Sequence, residues 1–193
     1  MIQFDTWVYV IPGFTQTRGT RTRLIDLWAD FHAEYAGPNA VMQLQPWCSD
    51  WASEAEFIAR SSRTYPRIFV VAYSWGAGYG FVQLAKHLAD RGLDVLRAWL
   101  IDPVYRHRYW LGQWRAFVPS VPITVPANVK RVSWWRQDKS YPKGHDLRAA
   151  DQSTHIEDSH WLNVGHVHMD DHRPTLNLIA NQLRRELKCD VCA

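Results

Sequence analysis

The sequence has few cysteines, no long apolar run and no concentrated stretch of basic residues. Its 3 cysteines are an odd number, which argues against a disulfide framework. No apolar run reaches the roughly 20 residues that a membrane-spanning helix needs, so we expect no membrane span. The net charge of +3 falls well short of the basic stripe of a nucleic-acid-binding protein. We therefore expect no nucleic acid as a partner.

Both ends of the chain favour one cytoplasmic domain. The N-terminus lacks the basic segment of a secretory signal peptide and runs directly into a strand pattern, so the expected location is the cytoplasm. Near the C-terminus, Cys189 and Cys192 form a CxxC pair, which supplies only half of a structural zinc site. We interpret residues 188–193 as a tail. A chain of 193 residues without internal repeats or linkers predicts a single domain over 1–193.

Tryptophan is abundant, with 11 residues, and short apolar runs alternate with helical patterns. Strands are predicted at 6–11, 41–45, 67–73, 95–101, 129–136 and within 156–164. Helices are predicted from about 22, from 50 to a stop at Pro66, from 76, and over 174–187. Residues 103–127 are expected to form a loop insertion or short cap, with one short helix near 109–117. This alternation predicts an α/β fold with a doubly wound, mostly parallel sheet flanked by helices.

The strongest chemical signal is the pentapeptide AYSWG at 72–76, which ends the third predicted strand. A nucleophile elbow needs a small residue two positions before and two positions after the serine, because the turn from strand to helix is tight and strained. Ala72 and Gly76 meet this need, so Ser74 is predicted to be a nucleophile. The alternative is an ordinary tight turn in which Ser74 only caps the helix.

A second turn, PGFT at 12–15, follows the first predicted strand. Acyl transfer needs two backbone N–H donors for the oxyanion. We assign these donors to the amides of Phe14 and of Trp75, the residue after the nucleophile. Residues expected to contact the substrate, because they lie at strand ends or in the aromatic segment after residue 103, are Thr15, Tyr73, Tyr105 and Trp110.

The base is expected in the segment GHVHMDDH at 165–172, between the last strand and the last helix. Histidine can move a proton near neutral pH, and we favour His166 because Gly165 frees the loop to reach back over the sheet. His168 is the alternative base. The His and Asp residues of 165–172 also allow a metal-dependent hydrolase, which would leave the serine elbow unexplained.

Two aspartates at strand ends could orient the imidazole and stabilise its charged form. Asp102 directly follows an apolar strand and is fixed by Pro103, whereas Asp138 comes two residues after the next strand. Asp102 is favoured because a carboxylate tight against a strand end is better held. Asp138 remains the alternative.

The order Ser74, then Asp102 or Asp138, then His166 resembles the α/β-hydrolase superfamily, and the element order matches over about 6–187. The resemblance implies acyl-enzyme hydrolysis on a doubly wound sheet, with no cofactor required. The family's acid usually follows the penultimate strand, which supports Asp138. Some lipase-like members carry it one strand earlier, in a context that the segment IDP at 101–103 resembles. The chain is shorter than most members and lacks their first antiparallel strands and full cap.

These features predict a serine hydrolase that cleaves carboxylic ester or thioester bonds of small-molecule or carrier-linked acyl substrates. Two alternatives stay open. One is a non-catalytic, α/β-hydrolase-like binding module whose tryptophans and arginines form a pocket. The other is the metal-dependent hydrolase built on 165–172.

Overall fold

The structure is a computed structural model that describes residues 3–14, 16, 21–106, 114, 117–118 and 120–188, with the backbone alone at 63 and 64. Its strands are β1 (Phe4–Ile11), β2 (Ala40–Leu44), β3 (Ser62–Tyr73), β4 (Val95–Ile101), β5 (Ile123–Val125), β6 (Val129–Arg136), β7 (Leu147–Ala149), β8 (His155–Ile156) and β9 (His160–Trp161). Its α-helices are α1 (Arg23–Tyr35), α2 (Trp51–Ser61), α3 (Phe81–Ala89) and α4 (Arg173–Lys188).

The main sheet has the strand order β2-β1-β3-β4-β6-β8, with β9 also paired to β6. All of these pairs are parallel. The order reverses between β1 and β3, because β2 lies on one side of β1 and the later strands lie on the other. The carboxyl ends of the strands at such a reversal form the crevice in which α/β proteins bind ligands. Gly13 follows β1 and Ser74 follows β3, so both predicted turns lie at this crevice.

Helices cover both faces of the main sheet. Side chains alternate along a strand, so Trp7 and Tyr9 of β1 belong to one buried cluster, while Val8 and Val10 belong to the other. Helices α2 and α3 pack on the first face, and α1 and α4 pack on the second. Because both faces are covered, the strands read as nearly continuous apolar runs. The doubly wound, mostly parallel sheet predicted from the sequence is confirmed.

Two helices begin directly after residues whose side chains cap them. The Thr22 hydroxyl accepts a hydrogen bond from the Ile25 amide, and the Asp50 carboxylate accepts one from the Ser53 amide. Each cap satisfies a backbone N–H that would otherwise lack a partner in the first turn. None of the helices in the described part of the chain is long and apolar enough to cross a membrane.

The boundary between α2 and β3 differs from the prediction. The sequence placed the end of the helical segment at Pro66, but α2 ends at Ser61 and β3 already begins at Ser62. The pairing of β1 with β3 shifts register between the Phe4–Ser62 and Thr6–Arg67 pairs. Pro66 lies between these two pairs and has no partner in β1. Its lack of an N–H group therefore removes no hydrogen bond from the pairing of β1 with β3.

Two further predictions need correction. The single strand expected within 156–164 is divided into β8 and β9, which pair separately with β6 on either side of the polar residues 157–159. The loop expected at 103–127 contains β5, which pairs with β7 in a separate two-stranded parallel sheet. The short helix expected near 109–117 falls mostly outside the described residues, as do Cys189, Cys192 and the rest of the predicted tail after residue 188.

Candidate active site

Ser74 lies in a strained turn directly after β3. Its φ of 54° is in the left-handed region, which costs a non-glycine residue roughly 1–2 kcal/mol. Four backbone hydrogen bonds hold this turn: the Ser74 amide donates to the carbonyl of Ile101, and its carbonyl accepts from the amides of Ala77, Gly78 and Val104. The turn therefore ties the end of β3 to the end of β4.

The small residues after Ser74 are required by close backbone contacts. A Cβ atom on Gly76 would lie 2.1 Å from the carbonyl oxygen of Ile11, and one on Gly78 would lie 1.9 Å from that of Val104. No side chain fits at either distance. The glycines after the serine thus allow the turn to pack against the end of β1 on one side and the segment after β4 on the other.

Three side chains form a continuous hydrogen-bonded line at this edge of the sheet. The Oγ atom of Ser74 lies 2.9 Å from Nε2 of His166, and Nδ1 of His166 lies 2.6 Å from Oδ2 of Asp102. All three residues are buried. Because a carboxylate only accepts hydrogen bonds, we assign the proton to Nδ1, which leaves Nε2 to accept from the Ser74 hydroxyl.

The carboxylate of Asp102 is fixed on every side. Its φ is 42°, and its amide donates to the carbonyl of Trp135 over 2.7 Å, which ties it to β6. Its two oxygens accept hydrogen bonds from the amide of Gln137 over 3.2 Å and from the Nε2 of the same residue over 3.0 Å. A Cβ atom on Gly144 would lie 2.2 Å from Oδ1 of Asp102, so the backbone there packs directly on the carboxylate.

Gln137 connects the Asp102 carboxylate to the loop that bonds to His166. It is 1% exposed, and its Oε1 accepts from the amides of Lys139 and Ser140. Its Nε2 also donates to the carbonyls of Ser140 and Pro142. The Ser140 hydroxyl in turn accepts from the amide of His166 over 2.8 Å. One glutamine side chain thus orders the loop that holds both Asp102 and His166.

His166 begins a short 3₁₀-helix, His166–Asp171, and packs on Tyr73. The Tyr73 hydroxyl donates to the His166 carbonyl over 2.7 Å, and the two rings stack with centroids 5.1 Å apart. Burial, together with the negative charge of Asp170, raises the pKa of Tyr73, so this hydroxyl keeps its proton and remains a donor.

The reason that the sequence offered for choosing His166 is wrong. Gly165 has an ordinary extended backbone, with φ −76° and ψ 160°, so it uses no conformational freedom that other residues lack. What Gly165 supplies is space, because a Cβ atom there would lie 3.0 Å from the Ser140 hydroxyl oxygen. That close approach brings the Ser140 loop within reach of the His166 amide.

The alternative acid and base lie outside the line of hydrogen bonds. Asp138 is exposed, because Gln137 occupies the inward position at the end of β6, and His168 is exposed on the 3₁₀-helix. The Asp171 carboxylate accepts from the Arg23 amide, and His172 contacts the Thr175 hydroxyl. Throughout the described ranges, no three His, Cys, Asp or Glu side chains come together as a group that could hold a metal ion.

The amides predicted to be oxyanion donors belong to Phe14, in the turn after β1, and to Trp75, in the turn after β3. Among the residues that the structure describes, neither amide has a hydrogen-bond partner. The two side chains pack against each other, with ring centroids 4.5 Å apart, so the turn after β1 and the turn after β3 are in contact. The guanidinium carbon of Arg106 lies 4.2 Å from the Trp47 ring centroid and 5.1 Å from that of Trp75, so a cation–π contact joins it to both rings.

A cavity of about 650 Å³ opens above Ser74 and His166. Its described apolar lining consists of Phe14, Trp75, Val104, Phe117, Pro142 and Val167. No Asp, Glu, Lys or Arg among the described residues lines it. The Gln16 side chain is in the wall, but its oxygen and nitrogen already bond to the Gly13 amide and to Asp170.

The residues predicted to contact substrate have different positions. Tyr73 lines the cavity, whereas Thr15 and Trp110 lie outside the described residues. Tyr105 is not among the described residues that line the cavity. Its amide donates to Nδ1 of the buried His145 over 3.2 Å, and its ring packs beside that imidazole.

Sequence reasoning gave no role beside Ser74 to four polar residues around the site, namely Gln16, Gln137, Ser140 and Asp170, although Asp170 belongs to the 165–172 segment considered for a metal. Only Gln137 gave a local signal, since it is an amide side chain directly after an apolar strand. The partners of the others include residues far away in the sequence, up to 154 positions for Gln16 and Asp170.

No protein-family model matches the sequence, and the comparison with curated proteins found no match. Among solved structures, the chain is similar to one of the two metagenome-derived lipolytic enzymes LipS and LipT, at 13% identity and a TM-score of 0.53 over 97% of this chain and 95% of that one. Two others are an alpha/beta-superfamily hydrolase from Xanthomonas campestris (12% identity, TM-score 0.49, 93% and 98% covered) and YbtT, a type II thioesterase of the yersiniabactin pathway (12%, 0.47, 94% and 92%). The first of these shares its fold with nearly the whole chain.

We predict that Gln137→Ala lowers the free energy of unfolding by about 2–4 kcal/mol. The change removes the acceptor of the Lys139 and Ser140 amides and the donor to the Ser140 and Pro142 carbonyls, and each buried unpaired group costs roughly 1–3 kcal/mol. Urea titration of the variant against wild type measures the loss, with the exposed Gln152→Ala as control. Equal midpoints for the two variants would show that Gln137 does not order this loop.

Proposed function

We propose, from the α/β-hydrolase fold of this chain, that it is a serine hydrolase that cleaves carboxylic ester or thioester bonds through an acyl-enzyme. The observation that carries the proposal is the line from Ser74 Oγ to His166 Nε2 at 2.9 Å and from His166 Nδ1 to Asp102 Oδ2 at 2.6 Å. An activated serine nucleophile needs a base within hydrogen-bond reach and a third group that orients the base. These three residues meet both requirements.

In the first half of the reaction, Ser74 Oγ attacks the acyl carbonyl carbon, and its proton passes to Nε2 of His166. Asp102 stabilises the imidazolium that forms and keeps the ring in the correct orientation. The amides of Phe14 and Trp75 donate to the oxyanion. When the tetrahedral intermediate collapses, the bond to the leaving group breaks, and His166 gives its proton to the departing alcohol or thiol.

In the second half, water enters and His166 removes one of its protons as the oxygen attacks the acyl-enzyme. Collapse of the second tetrahedral intermediate breaks the bond to Ser74 Oγ, which takes back a proton from His166. The carboxylic acid leaves and the enzyme is regenerated. Every proton moves between the substrate, water, Ser74 and His166, so the cycle balances without a cofactor.

The cavity favours an uncharged, apolar acyl group. Its described walls are mainly aromatic and aliphatic, and the polar atoms of Gln16 are occupied by Gly13 and Asp170. A charged acyl group would lose its hydration without gaining a charged partner among the described lining residues, which is costly. A small-molecule ester and an acyl group on a larger carrier both satisfy this requirement, because the carrier would stay outside the cavity.

Matched substitutions test the assignment of the three residues. On p-nitrophenyl butyrate, we expect Ser74→Ala, His166→Ala and Asp102→Asn each to lower kcat by about 10⁴-fold or more. The controls His168→Ala and Asp138→Asn should keep a kcat near that of wild type, because both residues are exposed and outside the hydrogen-bonded line. Loss of activity in Asp138→Asn but not in Asp102→Asn would transfer the acid to Asp138.

The apolar lining predicts discrimination against an anionic acyl group. We expect kcat/KM for the p-nitrophenyl ester of succinate to be about 10²-fold below that for the same ester with its free carboxylate methylated, because the unpaired carboxylate must be desolvated. The two substrates have nearly the same length and leaving group, so the comparison isolates the charge. Equal values for the two esters would contradict an apolar acyl site.

A further inference from the structure

A second set of hydrogen bonds links the turn after β1 to the helix that carries His166. The Gly13 amide donates to Oε1 of Gln16 over 2.9 Å, and the Gln16 amide donates back to the Gly13 carbonyl over 3.3 Å. The Nε2 of Gln16 then donates to the carboxylate of Asp170. Asp170 lies in the same 3₁₀-helix as His166, so Gln16 bridges the two segments.

The carboxylate of Asp170 plays no part in the proposed reaction, although it is only 2% exposed. Burial raises its pKa, and the hydrogen bond from Gln16 acts in the opposite direction. Burying a carboxylate is unfavourable unless it is hydrogen-bonded, and Gln16 supplies a side-chain hydrogen bond to it. The side chain of Gln16 therefore contributes to stabilising the buried carboxylate of Asp170.

The 3₁₀-helix is a firm support for such a contact. The Ser140 hydroxyl holds its first amide, the Tyr73 hydroxyl holds the carbonyl of His166, and the carboxylate of Asp171 accepts from the Arg23 amide. A group bonded to Asp170 is thus fixed relative to His166.

The turn after β1 needs this support, because Phe14 directly follows Gly13. A Cβ atom on Gly13 would lie 3.0 Å from the Cβ of Ser74 and 3.0 Å from the ring of Tyr73, so the turn packs tightly on the nucleophile. Movement of a catalytic group by about 1 Å can cost about 10²-fold in rate. Loss of one oxyanion donor costs about 10²–10³-fold.

We propose that Gln16 and Asp170 are positioning residues, which hold the turn after β1 so that the Phe14 amide meets the oxyanion formed at Ser74. This inference rests on the proposed function, because it assigns the two residues a role in the acyl-transfer step. Neither residue touches the substrate's reacting atoms; both act through the backbone of Gly13 and Phe14.

Exchanging the donor and the acceptor tests the bridge. Gln16→Glu places two carboxylates opposite each other, and Asp170→Asn removes the charge that accepts from Gln16. The double variant, Gln16→Glu with Asp170→Asn, restores a donor opposite an acceptor and keeps an oxygen for the Gly13 amide. We expect kcat on p-nitrophenyl butyrate to fall about 10²-fold in Gln16→Glu with KM unchanged, and to recover about 10-fold or more in the double variant.

Gln182→Leu is the matched control, because Gln182 also joins distant elements, accepting from Trp99 and Arg97 of β4. Arg97 is five residues before Asp102, roughly 17 Å along an extended strand. We expect this variant to lower the melting temperature and leave kcat unchanged. A purely structural role for Gln16 would give the same result, with a lower melting temperature, an unchanged kcat and no recovery in the double variant.

The rate of labelling by a fluorophosphonate, measured on the same proteins, separates this inference from the proposed function. Labelling of wild type at Ser74, together with slower labelling of Gln16→Glu, supports both the proposed function and the positioning role of Gln16. Labelling of Gln16→Glu at the wild-type rate, with wild-type kcat, overturns the positioning role alone. No labelling of folded wild type overturns the proposed function, and the positioning role is rejected with it.

Discussion

The hydrogen bond of 2.6 Å between His166 Nδ1 and Asp102 Oδ2 is the interaction on which the rest of the site depends. It joins the end of β4 to a segment 64 residues later in the chain. The bond sets which nitrogen of the imidazole carries the proton, and so leaves Nε2 facing Ser74. Without it, the strained turn at Ser74 would present a hydroxyl with no oriented base. The hydrophobic core fixes where β3 and β4 end, which places Ser74 and Asp102 near each other. The hydrogen bond itself depends on the polar side chains of Asp102 and His166.

Around that bond, polar side chains that are buried or partly buried hydrogen-bond with one another. Gln137 bonds to Asp102 and to the loop that carries Ser140. Gln16 and Asp170 connect the turn after β1 to the 3₁₀-helix that begins at His166. Buried polar groups are stable only when they are hydrogen-bonded, so each network has few alternative arrangements. The same property that stabilises these loops gives them a definite geometry, which a reaction at Ser74 would use.

The fold could be predicted from the sequence because it depends on local patterns. Apolar runs and helix caps fixed the order of the elements, and the AYSWG segment marked the strained turn at Ser74. The choice between Asp102 and Asp138 was harder, since both follow strands. The two aspartates differ in their positions in the fold: Asp102 is buried and bonded to His166, whereas Asp138 is exposed because Gln137 takes the inward position. The contact between Asp170 and Gln16 could not have been predicted, because the two residues are 154 positions apart and no local pattern indicates it.

Covalent labelling at Ser74 tests the central claim most directly. Wild type, Ser74→Ala and the exposed control Ser153→Ala are each treated with a fluorophosphonate, digested and examined by mass spectrometry. An activated serine predicts a single adduct on the peptide that contains Ser74, present in wild type and in Ser153→Ala and absent from Ser74→Ala. Folded wild-type protein that forms no adduct, or an adduct that persists in Ser74→Ala, would contradict the assignment of Ser74 as the nucleophile.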